Sequence, residues 1–339
     1  MGAASSASLR LRAAAALLAA CTGLPCAAQG VAQDADAARP AVPEKQYGVP
    51  ALEILGFDFL LNRYNHRFSG VSDYDVSVGS IRRNLHGPWV VDNDPFNVNQ
   101  FAHPYQGSIY HNAARANGLS YWESAAYTFA GSVGWEIAGE KTPPSRNDQV
   151  ASGIAGSRMA HLLLRSKGDL PRPWREWGAA AISPALGFNR LVYGSRFDAA
   201  FEDHDPLYYS RLRLGSAHTT HQDLGASTLL RKDALQLGFA LDYGLPGRAG
   251  YSYDRPFDYF HFETILSGAN GVERVASRGL LFGGAYAIGD GYRGIFGLYG
   301  NYDYLSPQIF HLSTTALSLG TTGQWWATRS LAIEGTALA

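Results

Sequence analysis

Two periodicities divide the chain. In the second half, apolar residues recur at every other position: Leu235, Leu237, Phe239, Leu241 and Tyr243 alternate with Gln236, Gly238, Ala240, Asp242 and Gly244. Period two puts successive side chains on opposite faces of a strand. Leu280, Phe282, Tyr286 and Ile288 repeat the pattern less strictly, opposite a face of mostly small residues. Further strands are expected over 208–218, 257–266, 295–304, 310–319 and 331–338, separated by the turn formers Gly244-Leu-Pro246-Gly247, Asn270-Gly271, Asp290-Gly291 and Ser306-Pro307. Two short segments near the start, 52–61 and 71–81, also read as strands. In the second, Tyr74, Val76 and Val78 alternate with Asp73, Asp75 and Ser77.

Between them the pattern becomes helical. Three helices are expected over 97–117, 120–139 and 148–165. Gly118 ends the first, Ser120 with Glu123 forms a capping box for the second, and Pro143-Pro144 breaks the chain before the third, which Asn147 or Asp148 caps. Pro104 suits a first helical turn and places the start of the first helix near His103. Ser152, Gly156 and Ala160 recur every fourth residue, a small-residue stripe that admits a close neighbouring backbone.

The strand half is two-faced in an unusual sense: bulky apolar residues share one side, and small or polar residues share the other. Strands of about ten residues match a tilted bilayer crossing, in which the outer face meets lipid and the inner face is polar. Open sheet edges are not tolerated in lipid, so such strands close into a barrel. Tyr208, Tyr209, Tyr251, Tyr253, Tyr302, Tyr304, Trp325 and Trp326 gather near strand ends, as an interfacial girdle does. A soluble sandwich or soluble barrel is the rival. The expected fold is mainly β, an antiparallel outer-membrane β-barrel with a three-helix insert. Its domains are a leader (1–28), a linker (29–50), N-terminal strands (51–84), a helical domain (85–166) and barrel strands (167–339). The segment Gly335–Ala339 reads as part of a strand without a terminal aromatic, so further strands are expected beyond it.

Composition agrees with export to a membrane. Charged residues are 17 % of 339, against roughly 25 % in soluble domains. Arg10 and Arg12 precede the apolar run Ala13–Ala20 and the small-residue end Cys26-Ala27-Ala28, the layout of a secretory leader cleaved after Ala28. Leu18-Ala19-Ala20-Cys21 offers a lipoprotein alternative with Cys21 as a lipidated N-terminus. Both cysteines lie in this stretch, so cleavage after Ala28 removes thiol, disulfide and Cys–metal chemistry. A net charge of −1 gives no electrostatic reason to bind nucleic acid, and no Walker loop or dinucleotide fingerprint suggests a nucleotide. There is also no His-Glu-x-x-His pair and no Gly-x-Ser-x-Gly elbow. The expected partners are outer-membrane lipid and the barrel assembly machinery, and no cofactor or metal is assigned.

Unusual chemistry concentrates between Trp89 and Arg165. The polar set is Asp92, Asp94, His103, Arg115, Glu123, Glu136, Glu140 and Asp148, with His103, Glu136 and Asp148 as candidate catalytic groups. Glu136 stands in the apolar context Trp135-Glu136-Ile137-Ala138, where burial would raise its pKa unless Arg115, His103 or Asp148 pairs with it. A His among carboxylates is the raw material of hydrolytic or metal sites. A closed structural network would use the same residues without catalysis, and Asp148 alone could be a cap. His111 and His161 read as ordinary surface or packing residues. His218, His221 and Asp223 form a small cluster that reads as a polar loop or strand end, with a metal site as the alternative.

Asp92-x-Asp94-Pro95-Phe96, His103-Pro104-x-x-Gly107, Ala114-Arg115-x-x-Gly118, Trp135-Glu136, Pro144-Ser145-x-x-Asp148 and Gly156 together resemble the bacterial family called domain of unknown function 3943. The resemblance covers roughly 85–165. It implies an exported, outer-membrane protein of Gram-negative type and no particular activity. The chain departs from the family pattern at His161, near where a Gly-Glu pair is expected. Two functions follow as expectations: a structural, binding or transport role with the helices as plug or docking unit, or a membrane-embedded hydrolase of envelope lipid or glycan.

Overall fold

The structure, a computed structural model, describes residues 45–96, 98–161, 183–193, 207–221, 230–244, 252–269, 271–307, 310–328 and 331–339. The expected leader, most of the linker, the end of the third helix toward Arg165, the turn at Pro246-Gly247, Tyr251, Asn270 and Asp223 lie outside the described residues.

The N-terminal strands expected over 51–84 are helices instead. Helix α1 spans Gly48–Phe68, a 3-10 turn follows at Ser72–Tyr74, and α2 spans Val78–His86. Pro50 falls in the first turn of α1, where its missing N–H removes no helical bond. The buried stripe of α1 is Ile54, Asp58 and Asn62, spaced by four and mostly polar, while Leu52, Leu55, Phe59 and Leu60 are exposed. A reading that assumes buried means apolar misses this helix. At α2, Ser77 and Ser80 cap each other reciprocally and turn the backbone helical just after the short alternation at Val76 and Val78.

The helical layer continues through a π-turn at Val98–Ala102 into α3 (His103–Arg115), then α4 (Tyr121–Ala138) and α5 (Arg146–Gln149). A π-turn at Val150–Ala155 follows α5, residues 156–161 are helical, and α6 spans Pro184–Tyr193. Gly118, at φ 84°, ends the first of these stretches. The Ser120–Glu123 capping box opens α4. The small-residue stripe meets α3 at Gly107. A Cβ on Gly156 would lie 2.7 Å from the Gly107 Cα, so only glycines allow this backbone contact. Among the described residues, no helix is long and apolar enough to cross a membrane.

The rest is a curled seven-stranded antiparallel sheet in sequential order: β1 Leu207–His221, β2 Leu230–Tyr243, β3 Phe260–Ser267, β4 Gly271–Ile288, β5 Tyr292–Leu305, β6 Leu312–Trp326 and β7 Ala332–Leu338. Partnered residues share a face, so the register sorts the side chains. One face carries Arg211, Arg213, Gln236, Asp242, His261, Glu263, Arg278, Asn301, Asp303, Thr322 and Gln324. Its groups pair across strands: Arg213 with Glu263 at 2.9 Å, His261 with Asp242 at 2.7 Å, and Gln324 with Glu334 at 2.8 Å. The other face carries Leu212, Leu214, Leu235, Leu237, Phe239, Leu241, Phe296, Leu298, Leu317, Leu319 and Ile333. Leu214 is 82 % exposed, and Leu235, Leu317, Leu319 and Ile333 are exposed as well.

One strand assignment needs correction. Leu280 and Phe282 do not share a face. The register slips between them, so Leu280 pairs with Tyr299 and Phe282 with Leu298. This bulge turns Leu280 to the polar side, where it is buried with Tyr253, Tyr259, Ile295 and Tyr299. The helices lie on the apolar face. Tyr302 donates to Gln100 at 3.0 Å, Phe96 stacks on Tyr304 at 5.5 Å, and Trp122 stacks on Phe282 at 5.1 Å. Phe257 and Phe260 pack with Tyr121 and His161.

Candidate functional site

The polar cluster is assembled from four pieces of chain. His103 opens α3, Glu136 stands in the last turn of α4 with Glu140 just beyond its end, and Ser145 to Asp148 begin α5. The fourth wall is the extended segment that carries Asp92 and Asp94. It is held by a short parallel bridge between Val90 and Ser145, with Val90 N–H donating to the Pro144 carbonyl and Arg146 N–H to the Val90 carbonyl. Asn147 locks this segment sideways. Its Nδ2 donates to Asp92 Oδ1 at 2.7 Å and its Oδ1 accepts the Asp92 N–H at 3.1 Å.

Ser145, not Asn147 or Asp148, is the N-cap of α5, with its Oγ accepting the Asp148 N–H. The sequence signal was present, since Ser145-x-x-Asp148 is itself a capping pattern. Capping by Ser145 frees the Asp148 carboxylate to turn inward. Asp148 Oδ2 lies 3.4 Å from His103 Nε2, and Asp94 Oδ2 lies 3.6 Å from the same nitrogen. His103 is 4 % exposed, and neither ring nitrogen has a hydrogen bond among the described residues. The three side chains offer ligand atoms all within 4.8 Å of one another.

The two glutamates have other partners. Glu136 Oε2 accepts the Ser145 N–H at 2.8 Å, and Glu140 accepts from Trp135 Nε1 at 2.9 Å and from Thr142 Oγ1 at 3.2 Å. Burial pushes Glu136 up to about 8, helped by the charges of Asp148 and Glu140 and opposed by the Ser145 N–H. Burial likewise lifts Asp148 to about 7 and raises Glu140. Burial pulls the His103 imidazole down, but Asp94, Asp148, Glu140 and Glu136 outweigh it and hold the ring above its ordinary range. Asp92 is lowered: burial opposes ionisation, and its bonds to Asn147 and Asp148 prevail.

Two members of the sequence-derived set stand elsewhere. The Arg115 guanidinium donates to the Leu119 carbonyl at 2.6 Å, at the opposite end of α3 from His103. Glu123 belongs to the α4 cap and to a surface cluster with Lys45 at 2.8 Å and Tyr47, which hold its carboxyl down at about 2. His111 is buried against Ser157 Oγ at 3.1 Å and Tyr121, and burial sends its ring well below the usual imidazole range. His218 pairs with Asp233 on the next strand at 2.8 Å.

A second buried chain escaped sequence reasoning. Gln106 donates to the Tyr110 hydroxyl at 2.6 Å, and Tyr110 donates to Asp58, whose carboxyl burial lifts to about 7. Asp58 carries no motif, and its role depends on α1 reaching α3. An open, apolar hollow is lined by Val98, Phe101, Ala102, Tyr105 and Met159, which include chain neighbours of His103.

No curated protein and no solved structure matches the chain. The helical segment that builds the cluster does have kin: residues 88–185 match the family described as "Domain of unknown function (DUF3943)".

Proposed function

We propose that this chain is an outer-membrane β-barrel protein with a non-catalytic role, and that its family domain is a docking unit held against the barrel wall. The single observation that carries the reading is the inverted two-faced sheet. The ion pairs Arg213–Glu263 and His261–Asp242 lie on one face, while Leu212, Leu214, Leu235, Leu319 and Ile333 stand exposed on the other. In water that arrangement exposes apolar surface without compensation, whereas in a bilayer it is the arrangement a barrel wall requires.

Docking fits better than plugging because Gln100, Phe96, Trp122 and Tyr121 contact the apolar face, and a plug would contact the polar one. Helix α1 extends the apolar surface with Leu52, Leu55, Phe59 and Leu60, a strip suited to lying in the headgroup interface. A hydrolase would need its groups open to substrate, and His103, Glu136 and Asp148 are buried. The test is fractionation of cells expressing the full chain, with gel mobility compared before and after boiling. Recovery in the outer membrane with a heat-shifted band is expected. A soluble protein without a mobility shift would overturn the reading.

A further inference from the structure

His103 meets its two carboxylates at ion-pair distance but not at hydrogen-bond distance. A charge-assisted N–H···O bond spans about 2.7–2.9 Å. His103 Nε2 lies 3.4 Å from Asp148 and 3.6 Å from Asp94, too far to bond well to either and nearly equidistant from both. Two ligands on one tetrahedral ion, each at about 2.0–2.1 Å, stand about 3.3 Å apart. The two separations at the imidazole match donors facing a shared centre, and the three ligand atoms all lie within 4.8 Å of one another.

Two further observations point the same way. The imidazole is buried, with both nitrogens unsatisfied among the described residues. Leaving such a group unpaired is costly, so its alignment on two carboxylates asks for an occupant. The charges of Asp94, Glu136, Glu140 and Asp148 all act on this one imidazole, and among the described residues no lysine or arginine forms an ion pair with any of them. Imidazole with carboxylates selects a first-row divalent ion over Mg²⁺ or Ca²⁺, which prefer all-oxygen shells.

We propose that Asp94, His103 and Asp148 bind one Zn²⁺-class divalent cation that clasps the extended 92–94 segment to the starts of α3 and α5. Asp94 is 42 % exposed, so the site has one ligand at the solvent boundary. The inference is independent of the membrane reading and goes beyond it.

The test uses the full chain folded in detergent, with Cys21 and Cys26 replaced by serine so that no thiol competes. After chelation and dialysis, Zn²⁺ alone is titrated calorimetrically and Co²⁺ is added as a spectroscopic probe. One saturable equivalent is expected, with the intense visible bands of four-coordinate Co²⁺. His103→Ala should abolish both, and Asp94→Asn, at an exposed position outside the core, should weaken Zn²⁺ on the order of 100-fold while leaving the fold intact. His218→Ala should change nothing. Absence of a saturable equivalent, or equal binding by wild type and Asp94→Asn, would overturn the proposal. So would an imidazolium N–H resonance of His103 that persists unchanged in Zn²⁺.

Discussion

Replacing Gly107 by alanine adds one methyl group at the tightest point of the helical layer. A Cβ there would sit 2.0 Å from the Ser152 carbonyl oxygen and 2.7 Å from its carbon. Both are backbone atoms, so no side-chain rotation relieves the clash, and α3 must withdraw from the 152–156 turn. Overpacking of this kind costs about 1–3 kcal/mol. Withdrawal also stretches the His111–Ser157 contact now at 3.1 Å, for about 1 kcal/mol more. The alanine recovers about 1 kcal/mol of helix propensity, leaving a net loss of about 1–3 kcal/mol. Gly134→Ala is the control. The nearest atom to its Cβ is Asp58 Oδ2 at 3.9 Å, ordinary contact, so the propensity gain of about 0.5–1 kcal/mol stands alone. The same chemical change therefore has opposite signs at two positions in one layer. Urea unfolding followed by tryptophan fluorescence reads both, because Trp122 and Trp135 lie on α4. A Gly107→Ala midpoint at or above wild type would refute the close-approach argument, as would a Gly134→Ala loss equal to that of Gly107→Ala.

Glu136 gives a pH prediction. Its carboxyl titrates near 8 in the folded chain and near 4.5 when unfolded, so between these values the folded state holds the extra proton. Stability attributable to this group is full below about 4.5 and falls by about 1.4 kcal/mol per unit as pH rises toward 8. Glu136→Gln keeps an acceptor for the Ser145 N–H and cannot ionise. Its stability profile should be flatter between pH 5 and 8 and cross above wild type at the alkaline end, and parallel profiles would remove Glu136 as the cause. Adjacent positions on β6 give a second test. Leu317 lies on the apolar face and Ala316 on the polar one, both exposed. Leu317→Arg should cost about 2–4 kcal/mol of membrane insertion near the bilayer centre and Ala316→Arg little, read as the heat-shifted fraction in purified membranes. Equal effects would mean that the two faces meet the same solvent.

The strands were legible because each covers enough residues for period two to outweigh local noise. Leu235 to Tyr243 alternate without interruption, and the structure carries that alternation across the sheet by register. Leu280 misled because a bulge shifts the phase by one residue, and nothing local distinguishes Leu280-Leu281-Phe282 from an unbroken strand. Helix α1 misled for a different reason. Leu52, Leu55, Phe59 and Leu60 are outside and Asp58 and Asn62 inside, because Asn62 satisfies the Gly139 and Tyr74 carbonyls and Asp58 accepts from Tyr110. Buried polarity of that kind is decided by partners dozens of residues away.

The candidate site was legible in its membership more than in its wiring. His103, Asp94, Asp148, Glu136 and Glu140 meet because rare polar types were set in an otherwise small or apolar helical context, where burial without partners would be too costly. Glu123 and Arg115 had the same composition signal but stand at helix ends, where a cap and a carbonyl consume them. The difference lies in the partners: Glu123 and Arg115 find a cap and a carbonyl within four residues of chain, whereas His103, Asp148 and Glu136 face groups on other segments. Ser145 shows how much follows from a single cap. By taking the α5 N-terminus it leaves Asp148 free to face His103, and its own N–H holds Glu136. Ser145→Ala would therefore turn Asp148 back toward the open cap as a substitute. It should lengthen the Asp148–His103 approach and abolish the proposed cation site together with about 1 kcal/mol of stability. A variant that lost only the stability and kept full Zn²⁺ affinity would show that Asp148 reaches His103 without help from this cap.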